Sequence, residues 1–173
     1  MTSLHKILFL LNLISIATFA QVKFNSNFIS PETNKIVKEL MEYQSVTDGA
    51  VGIAGIETEQ YNLFEKLKHI SSENELYELT NHESPIIRAY AFTALIDQNS
   101  PKAIDVLVKN QFDTTLIHIQ FGCVGDFDEV IGYMLDIAKP YLEKNSLSET
   151  QLQLIAEIKE KHYMRMEIFL PEK

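Results

Sequence analysis

The chain of 173 residues contains one cysteine, Cys123, and no tryptophan. A single cysteine cannot form an internal disulfide, so an exported form of this chain would depend on its apolar core for stability. Cys123 lies in the apolar stretch IHIQFGCV without an evident activating group beside it, and this favours a buried thiol over a reactive nucleophile.

Positive charge is also scarce, because 15 Lys and Arg residues stand against 24 Asp and Glu residues, for a formal net charge of −9. Nucleic acids and anionic membranes are bound through basic patches. The acidic balance therefore argues against nucleic acid as a partner.

The first 20 residues, MTSLHKILFLLNLISIATFA, have the features of an export signal. Lys6 supplies a positive charge, an apolar run extends from Ile7 to Phe19, and the small residue Ala20 precedes Gln21 at the expected cleavage point. The apolar run is shorter than the roughly 20 residues that span a bilayer. The sequence predicts a periplasmic or secreted protein, cleaved between Ala20 and Gln21 and without membrane association afterwards.

The rest of the chain shows the spacing of helices, and no segment alternates cleanly as a strand over more than about five residues. Serine before proline favours a helix start, because serine caps free N–H groups and proline fits the first turn. Such pairs occur at Ser30-Pro31, Ser84-Pro85 and Ser100-Pro101, and capping-box spacing occurs at Ser72 with Glu75 and at Ser146 with Glu149. We predict helices near residues 31–46, 57–70, 73–80, 85–96, 101–110, 114–122, 127–139 and 147–163.

These patterns predict four parts of the chain. Residues 1–20 form the signal peptide, and residues 21–30 form an extended segment. Residues 31–165 form a single helical domain, which is a size that can bury a substantial core. Residues 166–173 form a tail that is either a strap across one end of the domain or a frayed terminus.

The most informative stretch is NHESPIIRAYAFTALIDQNSPKAIDVLVKNQFD, residues 81–113. Its spacing resembles a HEAT repeat of the short kind found in phycobilisome-lyase-like proteins. The matching residues are Pro85, Ile87, Arg88, Ala91, Ala94 and Leu95 in the first helix and Ala103, Leu107 and Asp113 in the second half. The resemblance implies a curved α-solenoid and a protein-binding scaffold, and it does not imply an activity.

The physical properties of these residues agree with a stack of helices. Small alanines let two helices approach closely, and Arg88 can bury its stem while bonding carbonyls or a carboxylate of a neighbouring repeat. A second, degenerate unit follows at residues 114–139, and one such unit cannot bury its face without flanking helix pairs. We therefore predict an all-α fold, a short HEAT-like stack of helical hairpins with about eight helices.

Three glycines lie three residues apart in TDGAVGIAGIETEQY, at Gly49, Gly52 and Gly55. A phosphate-binding loop needs a lysine in register, and this stretch has no Lys or Arg and no Ser or Thr directly after its last glycine, while its acidic residues would repel an anion. We predict instead a packed turn between two helices, in which the glycines allow tight backbone approach. The aliphatic residues of the stretch, Val51, Ile53 and Ile56, are expected to fill the core.

Two further motifs could suggest metal binding. The segment GDFDE, residues 125–129, begins like a calcium loop but lacks the later bidentate Glu, so Asp126 is expected to cap a helix with Glu129 three residues on. The pair His82-Glu83 resembles the iron-binding pairs of deoxyhypusine hydroxylase, which needs several such pairs, and this chain has one. We predict no catalytic, cofactor-binding or metal-ligating residue.

The expected function is therefore that of an exported, non-catalytic scaffold or adaptor that binds another protein. Two alternatives remain open at this stage. One is an enzyme or accessory protein related to bilin lyases, and the other is a small helical inhibitor or immunity-type partner of a secreted protein. A groove lined by convergent polar groups would favour the enzyme, and an open apolar or acidic surface would favour binding.

Overall fold

A computed structural model of the chain describes residues 23–169. Within that range it contains seven α-helices and one mixed sheet of three strands, with about 59% of residues helical and 12% in strands. The elements are α1 Pro31–Leu40, β1 Ser45–Thr47, α2 Glu59–Ile70, α3 Glu73–Leu79, α4 Pro85–Asp97, α5 Ala103–Lys109, β2 Leu116–Phe121, β3 Val124–Glu129, α6 Val130–Lys144 and α7 Glu149–Phe169. The predicted all-α solenoid is therefore wrong.

The sheet has the strand order β1-β2-β3. Strand β1 runs parallel to β2, with Val46 opposite Ile119, and β2 pairs antiparallel with β3, with Ile117 opposite Asp128. Gly122, at φ 56°, turns the chain between β2 and β3. The sheet thus joins a segment between α1 and α2 to a hairpin between α5 and α6.

The helix predicted at residues 114–122 is strand β2. Ile117 is buried, whereas its neighbours Leu116 and His118 are exposed and half-buried, and Ile119 packs against the core again. This is the alternation of a strand, and the β-branched residues Thr115, Ile117 and Ile119 favour a pleated backbone. The second helical-hairpin unit therefore does not form, and the stack of hairpins does not continue beyond α5.

Three other predicted helices begin or end elsewhere. The helix predicted at 31–46 ends at Leu40, because residues 45–47 pair with β2. The helix predicted at 127–139 begins at Val130, because residues 124–129 belong to β3. The last helix is capped by Ser148 with Gln151 and runs to Phe169, so residues 166–169 continue the helix.

Several helix starts lie close to the expected residues. Ser30 accepts a hydrogen bond from the backbone N–H of Thr33, and Pro31 is in the first turn of α1. Ser72 and Glu75 form a complete capping box at the start of α3. Ser84 precedes α4 without a side-chain cap bond, so Pro85 alone marks that helix start.

The core is built around α4, which contacts the other helices α1, α2, α3, α5 and α6 and the strands β1 and β2. Nine of its residues are buried, so α4 is apolar around nearly its whole circumference. Its motif residues Ile87, Ala91, Ala94 and Leu95 are fully buried, as expected of the apolar face that the sequence placed there. A central helix of this kind holds both the sheet and the surrounding helices in place.

The predicted signal segment and its cleavage point at Ala20 and Gln21 lie outside the described residues. Between residues 23 and 169, no helix combines the length and the apolar character needed to cross a bilayer.

Candidate functional site

Arg88 is held entirely by the protein itself. Its Nε and Nη2 donate to the carboxylate of Asp113 at 2.6 and 3.0 Å, and Nη1 donates to the backbone carbonyls of His82 and Glu83 at 2.8 and 2.9 Å. Nη2 also donates to the hydroxyl of Thr115 at 3.2 Å. A guanidinium has five N–H donors, and all five are used here. These carbonyls and this carboxylate belong to the same segment, residues 81–113, and not to a neighbouring repeat as expected, and Arg88 is not free to bind a ligand.

A cavity of about 610 Å³ lies beside Arg88. Its buried histidine, His82, accepts a hydrogen bond from the backbone N–H of Ser84 and packs edge-on against Phe24 at 4.6 Å between ring centroids. Burial lowers the pKa of His82, so the ring is neutral near pH 7. The two buried polar side chains of this cavity, Arg88 and His82, therefore bond within the protein. Its described lining is Lys23, Phe24, Asn81, His82, Glu83, Arg88 and Thr115.

The glycine-rich segment forms an exposed turn. Val51 pairs with Ile56 across it, and Gly52 and Gly55 have φ angles of 73° and 59°, which favour glycine. The expectation that Val51, Ile53 and Ile56 fill the core is wrong: Ile53 is 99% exposed, Ile56 is 64% exposed and Val51 is half-buried. The glycines serve to shape a projecting turn rather than a buried one.

This turn rests on the β2–β3 turn. The backbone N–H of Gly52 donates to the carbonyl of Gly122 at 2.9 Å. Beneath them, Oδ1 of Asp48 accepts from the N–H groups of Ala50 and Gly122 at 3.1 and 3.3 Å. One carboxylate therefore holds two turns that are more than 70 residues apart in the chain.

We call these two turns, residues 49–56 and 121–125, the apolar tip. Their sequences, GAVGIAGI and FGCVG, contain no charged side chain in a chain with 39 charged residues. Phe121 and Val124 are 42% and 69% exposed, beside the exposed isoleucines. Cys123 is exposed in the same turn, so the prediction of a buried thiol is wrong.

A cleft of about 340 Å³ lies next to the tip, between the β2–β3 hairpin and helices α6 and α7. We call it the hairpin cleft. It shares Phe121 and Val124 with the tip, and its other walls carry both aromatic rings and carboxylates. The lining residues are Ile119, Phe121, Val124, Asp126, Phe127, Asp128, Asp136, His162, Tyr163 and Met166.

A buried polar cluster forms the inner end of this cleft. His162 Nδ1 lies 2.9 Å from Oε2 of Glu129, and its Nε2 lies 3.4 Å from Oδ1 of Asp128. Arg165 donates to both carboxylate oxygens of Glu129, at 2.7 to 3.2 Å. The cluster fastens α7 to the end of β3. Gly132, in the first turn of α6, leaves the space that the carboxylate of Asp128 occupies.

The two carboxylates of this cluster have opposite electrostatic environments. Burial raises the pKa of Asp128, and the nearby His162 offsets only part of that rise. Burial would also raise the pKa of Glu129, but hydrogen bonds from Arg165 and His162 outweigh it and hold that pKa below its ordinary value. Glu129 is therefore the fixed anion of the cluster, and Asp128 is the carboxylate that protonates more readily.

The segment GDFDE does not cap a helix as predicted. Asp126 lies in β3, where its Oδ1 accepts from the N–H of Phe127 at 2.7 Å, and Glu129 occupies the residue before α6 without a side-chain cap bond. Across the described residues 23–169, no group of three or more His, Cys, Asp or Glu side chains is placed to hold a metal ion.

Sequence reasoning missed the apolar tip and the hairpin cleft. The signal for the tip was present, since two glycine-rich, uncharged segments stand out in an acidic chain. The cleft had no such signal, because its walls come from residues 119–128, 136 and 162–166 and meet only through the fold. Arg88 and Asp113, which the sequence singled out, belong to the core and not to this surface.

Comparison of the chain with protein-family models, with curated proteins and with solved structures found no match. The fold and the surface together define the class of the molecule. It is a mixed helical domain with a small sheet, and its exposed apolar tip adjoins an acidic, aromatic cleft.

Proposed function

We propose that this protein is a non-catalytic binding module that docks another protein on the apolar tip. The observation that carries the proposal is the exposure of Ile53, Ile56 and Val124 on two uncharged turns. Single exposed apolar residues are common on protein surfaces, but a contiguous apolar patch on a soluble domain is typical of an interaction site.

The fixed backbone of the two turns also supports docking on the tip. Gly52 and Gly55 keep the first turn in a backbone conformation that other residues rarely adopt, and Asp48 fixes the second turn against it. A tip that is held rigid loses little entropy on binding, which favours affinity. The partner is expected to be a protein because the acidic chain would be repelled by nucleic acid and by anionic membranes. We also propose that the chain is exported, on the strength of residues 1–20.

The described polar groups argue against an enzyme. Arg88 and His82 bond within the protein, and the cluster around His162 is used to fasten α7. Neither arrangement leaves a nucleophile beside a free base, which hydrolytic or transfer chemistry would need.

Affinity capture from the exported fraction of the native host tests the proposal. The chain with Ile53→Lys and Val124→Lys is compared with the unchanged chain and with Leu152→Lys, which alters an exposed apolar residue (53% exposed) on α7, outside both tip segments. A protein that binds through the tip is retained by the unchanged chain and by Leu152→Lys and is lost from the double variant. Equal retention by all three chains would contradict tip docking.

A further inference from the structure

The hairpin cleft continues the apolar tip and differs from it in charge. Phe121 and Val124 belong to both surfaces, so the cleft opens directly beside the tip. Its volume of about 340 Å³ is at the small end of the roughly 300–1,000 Å³ that ligand pockets occupy. That size suits one side chain of a larger partner better than a separate large ligand.

The carboxylates of the cleft have few positive partners. Asp126, Asp128 and Asp136 line it, and no Lys or Arg is among its described lining residues. Lys139 pairs with Asp136 at 2.7 Å, in an exposed pair that water screens strongly. His162 faces Asp128 but also contacts Glu129, and Arg165 bonds Glu129 behind it. The mouth of the cleft therefore keeps a negative potential.

Aromatic rings stand beside these carboxylates. Phe121, Phe127 and Tyr163 line the cleft, and each is exposed over a large part of its surface. Aromatic faces attract cations through their quadrupole, with energies of roughly 0.5–2 kcal/mol. Rings and carboxylates around one small space are the chemistry that recognises an ammonium or a guanidinium group.

We propose that the hairpin cleft receives a lysine or arginine side chain of the docked protein, from a segment whose apolar residues cover the tip. This inference rests on the proposed function and adds the chemistry of the partner. An acidic side chain would be repelled by the three carboxylates. A purely apolar one would bury them without a counter-charge, which costs free energy. A basic and apolar segment satisfies both surfaces at once.

Short acetylated peptides serve as defined probes. One alternates Leu with Arg, a second replaces every Arg by Lys, a third by Gln and a fourth by Glu. Binding to the full chain is measured by calorimetry at about 0.15 M salt, where the Debye length is about 8 Å and long-range attraction is screened. We expect the Arg and Lys peptides to bind, the Gln peptide to bind about tenfold or more weakly, and the Glu peptide not to bind.

Charge-matched variants locate the site. Asp126→Asn with Asp136→Asn removes two cleft carboxylates, one of them paired with a lysine. Asp105→Asn with Asp97→Asn removes two carboxylates elsewhere, of which Asp97 is likewise paired, with Lys68 at 3.0 Å. The cleft variant should weaken the cationic peptides about tenfold, and the control variant should weaken them less than about twofold.

Three results would overturn the inference: no binding of the cationic peptides, equal binding of the Gln peptide, or equal weakening by both double variants. The last would indicate general attraction to an acidic protein rather than a site. None of these results bears on capture by the tip, which is tested separately with Ile53→Lys and Val124→Lys. A failure of the cleft and a failure of the tip are therefore distinguishable.

Discussion

Removal of the Arg88 side-chain charge tests how strongly α4 is joined to the segment that leads into the β2–β3 hairpin. Arg88 ties three segments together: its own helix α4, the carbonyls before that helix, and Asp113 with Thr115 before β2. The Arg88 and Asp113 side chains are only 6% and 5% exposed. We therefore expect the pair to behave as a buried ion pair and not as a surface contact.

The substitution Arg88→Met keeps much of the aliphatic stem and removes all five donors. Among the described residues, the carboxylate of Asp113 then keeps one hydrogen bond, from the backbone N–H of Thr115 at 3.3 Å. Leaving one partner of a buried pair uncompensated costs about 3–5 kcal/mol. A chain of this size loses about 2–4 °C in Tm for each kcal/mol, so the expected fall is on the order of 10 °C.

Urea and thermal unfolding of a double-mutant cycle measure this effect. The chains are Arg88→Met, Asp113→Leu and the two together, and the double variant should cost about 2 kcal/mol less than the sum of the single ones. Lys139→Met is the matched control, because its ion pair with Asp136 is exposed and should contribute less than about 1 kcal/mol. A loss below about 1 kcal/mol for Arg88→Met, or strict additivity in the cycle, would show that Arg88 and Asp113 do not behave as a buried ion pair.

Three further substitutions test other parts of the account. Gly52→Val should cost about 1–2 kcal/mol in chemical unfolding, because a φ of 73° strains a residue with a side chain, and the strain is the whole cost since the added Cβ meets no neighbour. Ala54→Val in the same turn should change the free energy of unfolding little. Titrations of ATP, GTP and NAD should show no saturable binding to the unchanged chain. Glu75→Gln should cost about 1–2 kcal/mol at pH 7, allowing for partial exposure. Burial alone would raise the pKa of Glu75, but backbone and serine hydrogen bonds hold that pKa at about 2. In acid titrations of stability, the contribution of Glu75 should therefore be full above about pH 4.5 and be lost as the pH falls through 2. Gly132→Ala should lower the Tm, because the new Cβ would overlap the carboxylate of Asp128 and loosen the attachment of α7.

Each of these expectations has a contrary outcome. Equal losses of unfolding free energy for Gly52→Val and Ala54→Val would mean that position 52 accepts a side chain without backbone strain. An acid titration of Glu75→Gln that parallels the unchanged chain would show that this carboxyl does not set the low-pH stability. An unaltered Tm for Gly132→Ala would show that Asp128 and His162 can move aside without loss.

The sequence predicted much of the helical half of the fold. Pro31 and Pro85 mark helix starts, and Ser72 with Glu75 marks another, because these signals are local and depend on backbone groups within one turn. The burial of the helix face that carries Leu95 followed from the spacing of apolar residues along one helix. The helix α4 and its successor α5 also lie near the residues expected of a helical hairpin.

The sheet could not be predicted in the same way. Ile117 and Ile119 alternate over too few residues to outweigh an apparent second helical unit, and Val46 joins the sheet only because β2 lies beside it. The exposure of Ile53 was missed because aliphatic residues near glycines were expected to be buried. The contact of His162 with Glu129 spans 33 residues of chain and depends on where α7 packs.

Site-directed photo-crosslinking shows whether another protein docks on the apolar tip. A photoreactive amino acid is placed at Ile53 in one chain and at Leu152 in another, and both chains are irradiated in the native host. We expect a discrete protein adduct from position 53 that is absent from position 152 and is lost when Val124→Lys is added. Adducts of equal yield from both positions, or none from position 53, would contradict this expectation.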